Sequence, residues 1–147
     1  MHRQHHAAVV RGPRHVSLEK QPLPLCGPHQ VRVQLEGCGV CGSNLPVWEG
    51  RPWFNYPLNP GAPGHEGWGV VDALGDAVET PLRVGDRVAA LSFNAYAEYD
   101  LASADQVVPL PAALDGLPFP GEALGCAMNI FRRSDITAGQ HVAVVGV

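Results

Sequence analysis

The chain has 147 residues and a formal net charge of −4, a length that suits one domain with an ordinary hydrophobic core. Its ten lysines and arginines do not cluster, so the basic face needed for nucleic-acid binding is missing and we expect no nucleic-acid partner. No run reaches the roughly 18 apolar residues of a membrane helix, and the N-terminus lacks the apolar stretch of a secretory signal, so we expect a cytoplasmic protein without a membrane partner.

Short strands separated by turns are predicted over most of the chain. The histidines before Ala7 are expected to lie in a mobile tail. Residues 30–36 alternate strictly and place Val31, Val33 and Leu35 on one face, which is the period of a half-buried strand. Further strands are predicted at residues 69–74, 87–91, 96–101 and 106–110. Many short strands with turn residues between them favour a mainly β barrel or sandwich.

Two helices and one buried strand are predicted in addition. Residues 41–49 are expected to form a short helix that Ser43 or Asn44 caps. Residues 121–133 contain no proline and carry apolar side chains at helical spacing. The apolar run 141–147 suits a parallel strand that is covered on both faces, as at the start of a nucleotide-binding unit.

The four cysteines are too few and too unevenly spaced for a disulfide scaffold. Cys38 and Cys41 form a C-x-x-C pair, for which three functions are open. Half of a structural zinc site would need a second pair, and Cys26 and Cys126 stand alone. A redox pair would favour the start of a helix. In the third, one cysteine is a metal ligand and the other is a small core residue.

A second motif places a histidine and a carboxylate between glycines, as Gly64-His65-Glu66-Gly67. The glycines would allow the backbone to bring the imidazole close to a metal. Glu66 could support the ligands, or replace one of them if the metal moves. A histidine in a turn is by itself more often a solvated side chain, so this motif alone is a modest signal.

Together, the two motifs predict a catalytic type of zinc site. Cysteine and histidine are good zinc ligands, and such a site needs only three protein ligands and an open position. Cys41 and His65 would supply two of them. Glu122 and Cys126 are both candidates for the third, because residues four apart share one face of the predicted helix.

Three motifs carry a resemblance to a known family. Residues 37–44 (Gly-Cys-Gly-Val-Cys-Gly-Ser-Asn), 64–67 and 84–88 (Val-Gly-Asp-Arg-Val) resemble, in order and spacing, those of the zinc-dependent medium-chain alcohol and polyol dehydrogenases. The resemblance implies a GroES-like barrel as the catalytic domain, residues 1–120. Residues 121–147 would then be the linking helix and the first strand of a truncated Rossmann domain.

The resemblance also implies a ligand set. Cys41 matches the first zinc ligand of the family and His65 the second, whereas Cys38 matches a position that is not usually a ligand. The third ligand lies 24 residues before the first glycine of the dinucleotide fingerprint, and counting back from Gly146 reaches Glu122. The family usually has aspartate, which orients the zinc-bound imidazole, where this chain has Asn44. An asparagine would do so without a negative charge.

The remaining site residues follow from the same resemblance. Ser43 matches the hydroxyl that relays the alcohol proton, and Ser43 and Glu66 are the expected catalytic side chains. Cys126 falls where the family contacts the nicotinamide ring, and Gly146 would contact the cofactor as well. The four-cysteine lobe for a structural zinc is absent, because residues 92–97 run straight through its place, so one zinc is expected rather than two.

The implied activity is oxidation of an alcohol or polyol, or reduction of the carbonyl, with NAD or NADP. Members of the family are often dimers or tetramers, which implies a homo-oligomer. The rest of the dinucleotide fingerprint and the residue that holds the ribose would lie beyond Val147. We therefore expect the chain to be a fragment of a longer enzyme, without dehydrogenase turnover of its own.

Two other classes of protein stay open. One is a zinc-free quinone or enone reductase of the same superfamily, in which the Cys41 and Gly-His-Glu motifs would be coincidental. The other is a non-enzymatic barrel in which Cys38 and Cys41 form a redox pair. Zinc content distinguishes the first from a zinc dehydrogenase, and a Cys38–Cys41 disulfide without metal would support the second.

Overall fold

Seven antiparallel strands are the main regular elements of the part of the chain that the structure, a computed structural model, describes, which is residues 3–145. In chain order they are β1 (Gln4–Gly12), β2 (His15–Pro22), β3 (Gln30–Gly39), β4 (Glu66–Leu74), β5 (Arg87–Ala90), β6 (Tyr99–Ser103) and β7 (Val107–Pro109). Strands β1 and β2 form a hairpin, and the other five form one sheet in the order β6-β3-β4-β5-β7. The prediction of a mainly β fold is confirmed.

The core lies against one face of the five-stranded sheet. The alternation predicted for β3 is confirmed, because Val31 and Val33 are completely buried and Leu35 packs beside them. Apolar side chains of five other segments complete the buried cluster: Val71, Leu82, Val88, Ala90, Ala102 and Val107. Burial of this apolar face, which the alternation in the sequence predicts, is the main contribution to the stability of the sheet.

The N-terminal segment differs from its prediction. It is the strand β1 rather than a mobile tail, and His5 is buried. The backbone N–H of His6 donates a hydrogen bond to the carboxylate of Glu98, at 2.8 Å. Pairing with β2 over nearly its whole length satisfies the backbone of β1. Because β1 begins with polar side chains, its sequence does not indicate a strand. Its pairing with β2 in the structure identifies it as one.

The first predicted helix has two parts. A 3-10 turn spans Gly42–Asn44, and α1 spans Leu45–Glu49. Asn44 occupies the N-cap position of α1, but its side chain makes no capping hydrogen bond. It bonds instead to the backbone of a distant loop, as described below. The prediction that Ser43 or Asn44 caps this helix is confirmed for the position of Asn44, although its side chain makes no capping bond.

Of the two elements predicted for the C-terminal part, the structure contains the helix, and its described residues do not form the strand. Helix α2 spans Gly121–Arg133, as predicted, and begins beside β5. Its apolar side chains Leu124, Met128 and Phe131 are more than half exposed. Residues 141–145 are described but are not in a strand, since they pair with no other strand of the described chain. Among the described helices, none is long and apolar enough to cross a membrane.

Candidate metal centre

Three side chains from the two predicted motifs meet at one place. The Sγ of Cys41, a ring nitrogen of His65 and a carboxylate oxygen of Glu66 all lie within 4.8 Å of one another. Strand pairing brings the motifs together, because Gly39 at the end of β3 lies opposite Glu66 at the start of β4. Cys41 lies two residues after the end of β3, and His65 directly precedes β4. Thiolate, imidazole and carboxylate are all zinc ligands, so the donor set fits this metal.

A backbone carbonyl orients the imidazole of His65. The Nδ1 of His65 lies 2.9 Å from the carbonyl oxygen of Pro63. Because a carbonyl can only accept, Nδ1 must carry the proton, and the lone pair of Nε2 is left for a metal. The side chain of Asn44 donates to the same carbonyl oxygen, at 3.0 Å. The side chains of Asn44 and His65 are therefore linked through one backbone carbonyl.

The local hydrogen bonds favour the thiolate form of Cys41. The hydroxyl and the backbone N–H of Ser43, followed by the imidazole of His65, lower the pKa of the Cys41 thiol. Burial alone would lower the pKa of His65, but the Pro63 carbonyl and the Cys41 thiolate outweigh it, so that the pKa of His65 lies above its usual value. A thiolate is the form of cysteine that binds metals, and Ser43 thus lies beside the sulfur that would do so.

Cys38 has the opposite character. Burial raises the pKa of the Cys38 thiol, and its Sγ donates a hydrogen bond to the carbonyl of Gly39, at 3.2 Å. A half-buried thiol that stays protonated behaves as a small core residue. These properties support the prediction that Cys38 is a neighbour of the site and Cys41 a ligand.

Alkylation of the metal-free chain should distinguish the cysteines. Since a lower pKa gives a larger thiolate fraction at pH 7, iodoacetamide is expected to modify Cys41 before Cys38 and before Cys126. Cys126 is the control, because it is exposed while its neighbour Glu122 raises the pKa of its thiol. Peptide mass spectrometry across pH 6–10 should show the rate at Cys41 levelling off at the lowest pH. Identical pH profiles for Cys41 and Cys126 would contradict the lowered pKa.

The two helical candidates for the third ligand contact each other. The Sγ of Cys126 donates to a carboxylate oxygen of Glu122, at 2.9 Å. Both line a cavity of about 370 Å³ between α2 and β5. The charge of Glu122 is among the causes that raise the pKa of His65, but its carboxylate is not one of the three groups within 4.8 Å. The position of Glu122 as a ligand stays a prediction, and Gly146 lies outside the described residues.

The family follows from a comparison with known protein families. Residues 27–112 match the model of the alcohol dehydrogenase GroES-like domain. The chain belongs to this family. The match covers β3 to β7, including Cys41, His65 and Glu66. The resemblance predicted from three short motifs, and the GroES-like fold that it implied, are confirmed.

Similar proteins lie among dehydrogenases and reductases. A probable D-xylulose reductase A from Emericella nidulans is 32% identical, over 94% of this chain and 47% of its own length. Human sorbitol dehydrogenase is 40% identical, over 55% of this chain and 23% of its own length. A solved mycobacterial quinone oxidoreductase has a TM-score of 0.74 at 26% identity, over 92% of this chain and 43% of that one. The chain thus spans about half the length of the fungal relative.

Two contacts of this GroES-like domain were not predicted from its sequence. Burial raises the pKa of Tyr96 to about 12, so its phenol stays neutral at pH 7, and its hydroxyl donates to the carbonyl of Gly39. A Cβ on Gly64 would lie 2.6 Å from the backbone nitrogen of Tyr96. Gly64 therefore allows the loop before His65 to pass the backbone at Tyr96. No short sequence pattern could predict either contact, because Tyr96 is distant in sequence from both Gly39 and Gly64.

Proposed function

We propose that this GroES-like domain is the catalytic domain of a zinc-dependent, NAD(P)-linked dehydrogenase. It would oxidise an alcohol or polyol, or reduce the corresponding carbonyl compound. The observation that carries the proposal is the convergence of Cys41, His65 and Glu66. The similarity to a D-xylulose reductase and to sorbitol dehydrogenase supports a polyol as substrate.

Cys41 and His65 would be two of the zinc ligands. Glu122 is the proposed third, and Glu66 is the alternative because its carboxylate already lies beside the other two. The thiolate form of Cys41, which Ser43 favours, would not have to lose a proton when the metal binds. The hydrogen bond from Nδ1 of His65 to the carbonyl of Pro63 would leave the Nε2 lone pair to bind the metal.

The chain's own side chains would bind and orient the substrate and move its proton. Zinc supplies a Lewis acid for the substrate oxygen, and the nicotinamide supplies hydride transfer, when these groups are bound. Ser43 is exposed beside Cys41 and would accept the hydroxyl proton as the first member of a relay. Cys126 and Gly146 would lie on the cofactor side. We further propose a cytoplasmic homo-oligomer, a dimer or a tetramer.

Zinc content is the direct test of this proposal. Chain purified without chelator is expected to contain close to one zinc, as measured by mass spectrometry of the metal, and chelation should lower its melting temperature. Less than about 0.2 zinc per chain would favour the zinc-free reductase class, and a quinone oxidoreductase is among the solved structures similar to this chain. A Cys38–Cys41 disulfide in metal-free chain would instead support a redox pair.

A further inference from the structure

We propose that Arg87 is a positioning residue for Glu122, the proposed third metal ligand. This inference deepens the proposed function and rests on it. Arg87 is the first residue of β5 and belongs to the Val-Gly-Asp-Arg-Val motif, residues 84–88, which contributes no side chain to the metal centre. Its guanidinium joins β3, the strand that leads to Cys41, to the segment that leads to Glu122.

The side chain of Arg87 makes three hydrogen bonds in two directions. Its Nε lies 2.7 Å from a carboxylate oxygen of Glu36 in β3. Its Nη2 donates to the carbonyl of Leu117, at 2.6 Å, and its Nη1 donates to the carbonyl of Leu114. The side chain of Arg87 is only 11% exposed, so water competes little for these bonds. Hydrogen bonds of a charged donor are also stronger than those between neutral groups.

The segment between β7 and α2, residues 110–120 and here called the connector, has few other attachments to the sheet. The backbone N–H of Leu110 donates to the carbonyl of Arg87, at 2.9 Å. In the described part of the chain, the other backbone hydrogen bonds of the connector lie within it, and Arg87 alone bonds to it through a side chain. No residue of the connector is buried, so apolar packing does little to determine its path.

Helix α2 begins where the connector ends, and Glu122 is its second residue. No residue of α2 is buried, so its position depends on how the connector enters it. At this point the backbone packs directly on β5, because a Cβ on Gly121 would lie 2.7 Å from the Cβ of Ala89. The bonds to Arg87 and the contact with Ala89 together determine where α2 starts, and with it the position of Glu122.

Loss of the guanidinium should therefore affect the metal through Glu122. Without Arg87, the connector would move relative to β3, and the carboxylate of Glu122 would be placed less well for the metal. Cys41 and His65 would keep their positions, since the pairing of β3 with β4 brings their segments together. Removal of a residue that supports a ligand typically lowers metal affinity by about 10- to 100-fold. We expect a loss in this range for Arg87→Met.

Four forms of the full chain test whether this loss depends on Glu122: the unchanged chain, Arg87→Met, Glu122→Gln and the double variant. Competition with a chromogenic chelator gives the zinc affinity of each. The loss caused by Arg87→Met should disappear when residue 122 is already glutamine, because such a cycle isolates the coupling between two residues. An equal loss in both backgrounds, or a Glu122→Gln chain that binds zinc as the unchanged chain does, would overturn the proposal.

Arg32→Met is the matched control. Arg32 lies in β3, is 14% exposed and pairs with Asp72 at 2.6 Å, and it donates to the carbonyl of Pro24 rather than to the connector. Both arginine variants should lower the melting temperature of the metal-free chain, but only Arg87→Met should lower zinc affinity. Equal losses of affinity would show that Arg87 acts only on stability. Arg87→Lys is the milder variant if Arg87→Met does not fold, since lysine keeps the charge but lacks the fork that reaches two carbonyls.

A measurement without metal separates this proposal from the proposed function. Hydrogen exchange followed by mass spectrometry should be faster in residues 110–120 of Arg87→Met than in the unchanged chain, and equal in β3 and β4. Unchanged exchange in the connector would overturn the positioning role even if the chain binds zinc. If the unchanged chain binds no zinc, the proposed function fails, whereas faster exchange confined to the connector would still show that Arg87 fixes the connector.

Discussion

Replacement of Cys41 by alanine is expected to lower the zinc affinity of the chain by at least about 100-fold, because loss of a residue that only supports a ligand already costs about 10- to 100-fold. Cys41 supplies the only thiolate of the three-residue cluster formed with His65 and Glu66. Its pKa is lowered by Ser43 and His65, which makes it the strongest donor of the three at pH 7. Chelator competition at fixed pH measures the change.

Cys38→Ala is the matched control, since both cysteines belong to the same C-x-x-C motif. Burial raises the pKa of the Cys38 thiol, and we expect this variant to bind zinc as the unchanged chain does. Zinc binding that survives in Cys41→Ala and is lost in Cys38→Ala would show that the two cysteines have been assigned the wrong way round. If both variants keep zinc, the metal binds elsewhere in the chain.

The same affinity measurement decides between the two carboxylates. Glu66 lies beside Cys41 and His65, whereas Glu122 accepts a hydrogen bond from Cys126. Glu122→Gln should weaken zinc binding more than Glu66→Gln if Glu122 is the third ligand. The reverse order would assign that position to Glu66.

Gly69→Ala is expected to destabilise the fold by about 3 kcal/mol, because it overpacks a place where only backbone is present to yield. Gly69 in β4 lies opposite Leu35 in β3. A Cβ there would lie 2.1 Å from the carbonyl oxygen of Gln34 and 2.8 Å from the Cα of Leu35. The strands would have to separate beside the bulge that follows Leu35. Urea unfolding, followed by circular dichroism, measures the free energy of unfolding.

Gly125→Ala is the control for a glycine without such a neighbour. Gly125 lies inside α2, and a Cβ on it would meet nothing within 4 Å. Alanine is the better helix former by about 1 kcal/mol, so this variant should be slightly more stable than the unchanged chain. Ordinary surface substitutions change the free energy of unfolding by about 0.5 kcal/mol or less. If Gly69→Ala stays within this range of the unchanged chain, β3 and β4 are not so closely packed at Gly69.

Elements with a clear local period were predictable. Val31 and Val33 share the buried face of β3 because side chains alternate along a strand, and α2 has the predicted bounds, Gly121–Arg133. The strand β1 was missed, since its polar start resembles a solvated tail. The expected strand over 141–147 is not formed by the described residues 141–145, because a strand needs a partner to hydrogen-bond with.

The ligand types at the centre were recognisable from the sequence, since cysteine and histidine beside glycines are specific in combination. The groups that surround these ligands were not recognisable from the sequence. Glu66 was expected as a supporting group or as a replacement ligand, and only the structure shows that its carboxylate lies within 4.8 Å of the donor atoms of Cys41 and His65. Asn44 was expected to orient the imidazole, and only the structure shows that both side chains bond to the carbonyl of Pro63. Every residue has a backbone carbonyl, so a sequence motif cannot predict which carbonyl accepts these hydrogen bonds.

By itself, the sequence determined which segments alternate, which segment is helical, and which side chains can bind a metal, because these properties depend on residue type and short spacing. Only the tertiary structure decided that Gly39 pairs with Glu66 and that Asn44 reaches Pro63. Both contacts join segments that are far apart in the chain. Their partners are set by strand register and loop path, and these depend on the packing of the whole domain.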